Sequence, residues 1–89
     1  MRVTVDISLY PLDANYKPPV RRFVKMLRTY PDLNLLTNQM GTQINGEFEV
    51  VTAALNACMA AAMNEGGKVV VAARYVNSDL AIDTAPDLE

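Results

Sequence analysis

The sequence contains 89 residues, of which 51% are hydrophobic, and its formal net charge is −2. A chain of this length forms a single domain, and this charge gives no reason to expect binding to nucleic acid or to an anionic membrane surface. The one cysteine, Cys58, excludes an internal disulfide, and no apolar run reaches transmembrane length. Because the N-terminus also lacks the features of a signal peptide, we expect a soluble protein of a reducing compartment, the cytoplasm.

The first predicted element is a strand, because apolar residues occupy four alternate positions: Val3, Val5, Ile7 and Leu9. A turn-rich connection follows, and Pro18 and Pro19 suit the first turn of a helix that ends near Pro31. Its buried stripe has helical spacing: Val20, Phe23, Val24 and Leu27. A second face is basic, and we interpret it as solvated, with phosphate binding as the alternative: Lys17, Arg21, Lys25 and Arg28.

Residues 33–47 predict a hairpin that runs directly into a second helix. If the turn is centred on Gln39 and Met40, Leu35 lies opposite Ile44 on the neighbouring strand. These two apolar residues mark the buried side of the hairpin. Gln-Met is not a favoured two-residue turn, so a longer loop would shift this pairing.

The same register places Thr37 opposite Thr42, on the buried side of the hairpin. A buried hydroxyl without a partner costs about 1–3 kcal/mol. Two interpretations therefore remain open: both hydroxyls bond to nearby backbone, or they form a polar notch that opens into an apolar pocket.

The second helix is predicted from its apolar face: Phe48, Val51, Leu55, Cys58, Met59 and Ala62. It ends at Glu65-Gly66-Gly67, and residues 68–76 form the last strand. Five consecutive valines and alanines leave neither face of this strand polar, so we expect it to be covered on both sides. Residues 1–76 then form the domain, and residues 77–89, with four acidic residues and no basic one, form a loose acidic tail.

The order strand, helix, strand, strand, helix, strand predicts an α+β ferredoxin-like sandwich, in which a four-stranded antiparallel sheet carries both helices on one face. The other face of the sheet would be bare in a monomer, with several apolar residues on it: Leu36, Val70, Ala72 and Val76. Because such a patch favours association, we predict a homodimer or a higher homo-oligomer.

The residues favour a binding or assembly domain over an enzyme. The sequence has no histidine, no metal-ligand spacing, no paired carboxylates and no glycine-rich loop after a strand. A nucleophile or a general base is therefore missing, and no cofactor is expected.

Several short motifs carry a resemblance to a known family: ISLYPL at 7–12, LT at 36–37, GT at 41–42, ING at 44–46 and GKVV at 67–70. With their spacing they resemble the YkoF-like thiamine- and hydroxymethylpyrimidine-binding family over about Val3 to Val76. The resemblance implies a ferredoxin-like unit that binds thiamine or its pyrimidine precursor and is linked to thiamine uptake. Such proteins often hold two repeats, and this chain holds one, so the resemblance implies that two chains replace the tandem arrangement.

The candidate ligand-binding residues are Ser8, Tyr10, Thr37, Asn38, Thr42 and Glu47. An aminopyrimidine has ring acceptors and an exocyclic donor, which hydroxyl and amide groups match. Tyr10 offers a ring face or its hydroxyl, or else it only packs at the strand end. A positively charged thiazolium favours a carboxylate or an aromatic face, and the nearest carboxylates are Glu47 and Asp6, the latter equally an ordinary strand residue. Lys68 stands where tandem members of the family often have a histidine.

Four functions remain open from the sequence. The first is a carrier or sensor for thiamine or hydroxymethylpyrimidine. The second is a homo-oligomeric assembly domain whose pocket only packs, and the third is a regulatory module that senses another small molecule, such as an amino acid. A small ferredoxin-like enzyme is the least favoured, because histidine is absent.

Overall fold

The computed structural model describes all residues, 1–89. The elements are β1 (Arg2–Pro11), α1 (Lys17–Leu27), β2 (Asn34–Asn38), β3 (Gly41–Glu47), α2 (Phe48–Met63) and β4 (Val69–Val76). The four strands form one antiparallel sheet in the order β2-β3-β1-β4, and both helices pack on one face of it. This is the predicted ferredoxin-like α+β sandwich. No helix has both the length and the apolar character that a membrane span requires.

The core lies between the sheet and the two helices. Alternation along β1 and β3 directs Ile7 and Ile44 to this side, where both are almost fully buried. The helices contribute the residues that the 3.6-residue period predicts: Phe23, Leu27, Val51, Leu55 and Cys58. Leu35 is only partly buried at the margin of this core. Burial of a Val, Leu, Ile or Phe side chain contributes about 1.5–3 kcal/mol, so this cluster is the main source of stability.

The hairpin has the simplest register that the sequence allowed. Thr37 pairs with Thr42 and Asn38 with Gly41, so Gln39 and Met40 alone form the turn. Neither turn residue has a positive φ, so this is not one of the primed turns that hairpins prefer. The side chains of Asn38 and Ser8 hold this turn through hydrogen bonds to the backbone of Met40.

The expectation that β4 is covered on both sides is wrong for the single chain. β4 is an edge strand, and the core residues of both helices pack against the centre of the sheet. Tyr75 on the helix side is 49% exposed, and Val70 and Val76 on the other side are 47% and 40% exposed. The outer edge of β4 therefore carries apolar side chains and unpaired backbone groups.

The expectation of a loose tail is wrong for residues 78–80, which we call the strap. Thr4 Oγ1 donates to the carbonyl oxygen of Ser78 at 2.7 Å and accepts from the N–H of Leu80 at 2.9 Å. Asn45 Nδ2 donates to the carbonyl oxygen of Leu80. Thr4 and Asn45 lie on the sheet face away from the helices, and the strap leaves them only 6% and 5% exposed. Composition could not predict this contact, because it uses the backbone of the strap.

Candidate ligand-binding site

A cleft with a volume of about 190 Å³ opens where the hairpin turn, the end of β1 and the start of α1 meet. The hairpin contributes Thr37 and Thr42 to its lining. The apolar wall comes from the sheet-facing stripe of α1: Val20, Phe23 and Val24. The cleft is therefore mainly apolar, with hydroxyl groups at one place, which is the usual character of a small-molecule site.

The two threonine hydroxyls bond to each other. Thr37 Oγ1 and Thr42 Oγ1 are 3.1 Å apart, and either atom can be the donor. Two hydroxyls carry two protons, and this bond uses one, so the pair retains one O–H donor and free lone pairs. Thr42 is 2% exposed, and no buried side-chain polar atom lacks a partner. The hydroxyls thus bond to each other and not to the backbone, and both threonines line the cleft.

Two tyrosines flank the cleft. Tyr10 and Tyr16 line it, and each is 51% exposed, so their rings are accessible to a ligand. An adjoining open depression is lined by both tyrosines and by Asp13. Asp13 Oδ1 accepts from the N–H of Asn15 at 2.8 Å, which fixes the carboxylate within its loop. One acidic and two aromatic residues thus line the same depression, and residues of these types favour a bound cation.

The structure brings five of the six predicted site residues to this cleft: Ser8, Tyr10, Thr37, Asn38 and Thr42. Two of the five are engaged in holding the turn. Ser8 Oγ donates to the carbonyl oxygen of Met40 at 3.0 Å, and Asn38 Oδ1 accepts from the N–H of the same residue at 2.9 Å. Ser8 and Asn38 therefore hold the turn, whereas the two threonine hydroxyls bond to each other.

The structure does not bring the sixth predicted residue, Glu47, to this cleft. It ends β3 at the opposite end of the strand from Gly41 and is paired in the sheet with Arg2. Its carboxylate lies 3.3 Å from the N-terminal ammonium of Met1. Five residues of extended chain separate it from Thr42, too far for both to contact one small ring.

Asp6 is also unavailable to the cleft, because it lies on the other face of the sheet. Gln43 Nε2 donates to Asp6 Oδ1 at 2.8 Å, and Arg74 Nη2 donates to Asp6 Oδ2 at 2.9 Å. Both hydrogen bonds lower the pKa of the Asp6 carboxyl below its ordinary value, and the bond from Gln43 has the larger effect. Lys68 lines a separate cavity between the start of α1 and the start of β4, beside the ion pair of Arg22 and Glu65.

Sequence reasoning missed the residues that α1 and its preceding loop contribute. Val20 and Val24 were predicted as core, and their partial exposure shows that they face the cleft. Tyr16 and Asp13 lie in a loop with no periodic signal. An aromatic residue two positions before the prolines of the helix start was the one available indication.

Cys58 and the acidic residues form no second centre of chemistry. Burial in the core raises the pKa of the Cys58 thiol, which favours its neutral form. No group of three or more His, Cys, Asp or Glu side chains is arranged to hold a metal ion.

Fold and cleft together define a small ferredoxin-like domain with a mainly apolar cleft that carries hydroxyl groups. The sequence matches the family described as thiamine-binding protein over residues 5–88, and the chain belongs to this family. The resemblance found in the sequence motifs is thereby confirmed, and the match includes the strap. A search among curated proteins finds no match.

Solved structures of proteins from three organisms share the fold. A hypothetical protein from Methanocaldococcus jannascii has a TM-score of 0.77 at 22% identity, covering 98% of this chain and 88% of that one. A Thermotoga maritima protein assigned provisionally to thiamine biosynthesis or salvage has a TM-score of 0.76 at 16% identity, covering 84% and 82%. A Streptococcus pneumoniae protein has a TM-score of 0.83 at 17% identity, covering 93% and 94%. At these identities the likeness shows the fold alone.

Proposed function

We propose that this protein binds thiamine or its hydroxymethylpyrimidine precursor in the cleft, without catalysing a reaction, as a cytoplasmic carrier or sensor linked to vitamin B1 uptake. The observation that carries the proposal is the pair of threonine hydroxyls, 3.1 Å apart in a mainly apolar cleft, in a chain of the thiamine-binding protein family. The cleft offers hydrogen bonds and apolar contact, which suit binding of a ring with polar substituents.

The volume of the cleft favours the pyrimidine ring as the enclosed group. About 190 Å³ is below the roughly 300–1,000 Å³ of clefts that enclose a drug-sized ligand. One substituted ring therefore fits beside the threonines, with its exocyclic amine and ring nitrogens facing Thr37 and Thr42. The second ring of thiamine would lie outside this volume.

The thiazolium ring of thiamine would then lie at the tyrosines. Tyr10 and Tyr16 present exposed rings, and Asp13 supplies a negative charge in the same depression. A cation on an exposed aromatic face gains about 0.5–1 kcal/mol. The free pyrimidine lacks this cation, so its affinity depends on the threonine end alone.

A thermal-shift screen over thiamine, its phosphates and hydroxymethylpyrimidine tests the proposal. A ligand that binds only the folded state adds about 2.7 kcal/mol at 100 times its dissociation constant. For a domain of this size that corresponds to a rise in Tm of about 11–22 °C. Unchanged melting with all of these compounds at millimolar concentration would overturn the proposed function.

We also propose that the chain forms at least a homodimer, through the outer edge of β4. The support is the unpaired edge of an eight-residue strand together with the exposed side chains of Val70, Tyr75 and Val76. A lysine at the edge should prevent pairing, so Val70→Lys should yield a monomer by light scattering. The matched control is Leu36→Lys, on the same sheet face at the opposite edge, which should remain a dimer. A monomeric parent at high micromolar concentration would contradict the proposal.

A further inference from the structure

The turn that forms one side of the cleft is held by polar contacts. Met40 lines the cleft, yet its side chain is 83% exposed and does not anchor the turn by packing. Its N–H donates to Asn38 Oδ1 at 2.9 Å, and its carbonyl oxygen accepts from Ser8 Oγ at 3.0 Å. The position of the turn therefore depends on the orientation of these two side chains.

Asn38, at the margin of the cleft, begins a hydrogen-bonded network that continues across the sheet face away from the helices. Asn38 Nδ2 donates to Gln43 Oε1 at 3.2 Å, and Gln43 Nε2 donates to Asp6 Oδ1 at 2.8 Å. Arg74 holds the other carboxylate oxygen of Asp6 through Nη2 at 2.9 Å and Nε at 3.3 Å. This hydrogen-bonded network thus crosses β4, β1, β3 and β2 and ends at the turn.

The Asp6 carboxylate determines which group donates and which accepts in every hydrogen bond of this network. An ionised carboxylate accepts hydrogen bonds and donates none, so Gln43 must face Asp6 with its amide nitrogen. The oxygen of Gln43 then faces Asn38, which must present its own nitrogen there. The oxygen of Asn38 is consequently left for the N–H of Met40.

We propose that Asp6 is a positioning residue for the cleft, acting through Gln43 and Asn38 to hold the Met40 turn in place for a ligand. As far as the ligand is concerned, the inference rests on the proposed function. Asp6 itself touches nothing in the cleft, so its effect is exerted through the two amides.

The test is a substitution that reverses the donor and acceptor roles along the network and leaves the side-chain volume unchanged. In Asp6→Asn, Arg74 retains the oxygen of the new side chain, and an amide nitrogen faces Gln43. Both downstream amides must then reverse, and Asn38 would present its NH₂ group to the N–H of Met40. The double variant Asp6→Asn/Gln43→Glu restores an acceptor at the centre, so Asn38 regains its original orientation. The matched control is Asn34→Ala, an exposed amide on the same face of β2.

Two measurements separate positioning from general stability. We expect amide exchange of Met40, followed by NMR, to accelerate about 2- to 12-fold in Asp6→Asn, to return to the parental rate in the double variant and to be unchanged in the control. Exchange of the buried Leu55 amide reports global unfolding, so it gives the change in overall stability of each variant separately from the local change at Met40. The dissociation constant for thiamine or hydroxymethylpyrimidine should rise by a similar factor and recover with the second substitution.

Each outcome decides the inference. Met40 exchange that is unchanged in Asp6→Asn, or that the double variant fails to restore, would overturn it. Accelerated exchange with unaltered ligand affinity would also overturn it, because the turn would then be irrelevant to binding. If the parent binds neither compound, the proposed function fails, while the exchange pattern still decides whether Asp6 positions the turn.

Discussion

Replacing Thr37 and Thr42 together by valine removes both hydroxyls of the cleft and retains the shape of both side chains. The pair offers one free O–H donor and free lone pairs, so a bound pyrimidine makes about two hydrogen bonds to it. Each is worth about 0.5–1.5 kcal/mol, and a buried ligand nitrogen left unpaired costs more. We therefore expect affinity to fall roughly tenfold to several hundredfold by isothermal titration calorimetry.

The folded state should respond to these substitutions in a non-additive way. Thr37→Val alone leaves the hydroxyl of Thr42, which is 2% exposed, without its partner, at a cost of about 1–3 kcal/mol. The double valine variant removes both partners at once and should unfold at a higher urea concentration than this single variant. The binding control is Lys25→Ala on the exposed face of α1, which should bind like the parent. Parental affinity in the double variant would refute the assignment of the threonines to the site.

Three further predictions concern stability. The pKa of Asp6 is lowered in the folded state, so its contribution to the free energy of unfolding is fully present above the unfolded-state pKa of about 3.8 and is lost as the pH falls through the folded-state pKa. Between pH 2 and 6, the free energy of unfolding measured with urea should therefore fall less steeply with decreasing pH in Asp6→Asn than in the parent. A chain ending at Asn77 loses the three hydrogen bonds of the strap and should unfold with about 1.5–4.5 kcal/mol less free energy, whereas a chain ending at Ile82 should match the parent. Gly41→Ala places a Cβ 2.5 Å from a β1 hydroxyl and should cost about 1–3 kcal/mol in chemical denaturation, while Gly67→Ala, with no atom within 4 Å, should be neutral.

Local sequence patterns were sufficient to predict the fold and the pairing of the hairpin strands. The alternation along β1 and the helical stripes determine which side chains are buried, so the sheet face of Ile7 and Ile44 was predictable. The facing of Thr37 and Thr42 followed from the shortest possible turn. The preference for primed turns argued against that register, and it was overridden by Asn38 and Ser8, whose contacts to Met40 no dipeptide statistic includes.

The misassigned residues depend on contacts between distant parts of the chain. Glu47 was assigned by its proximity in sequence to the hairpin, but a strand of seven residues carries it to the opposite end of the sheet. The strap was assigned to a tail because its composition is acidic, whereas Thr4 and Asn45 bind its backbone. The apolar composition of β4 predicted that both of its faces would be buried. Because β4 is an edge strand, several of its side chains are instead exposed in the single chain.

The open face of the sheet is less bare than its apolar residues suggested, and this restricts how two chains can associate. The strap covers Thr4 and Asn45, and the chain of bonds from Arg74 to Asn38 occupies the middle of the face. A partner packed flat on this face would have to displace both, at the cost of their hydrogen bonds. Pairing at the edge of β4 would instead extend the sheet, cover Val70 and leave these contacts in place. The cleft lies across β1 from that edge, so two chains joined in this way would each keep an accessible ligand site.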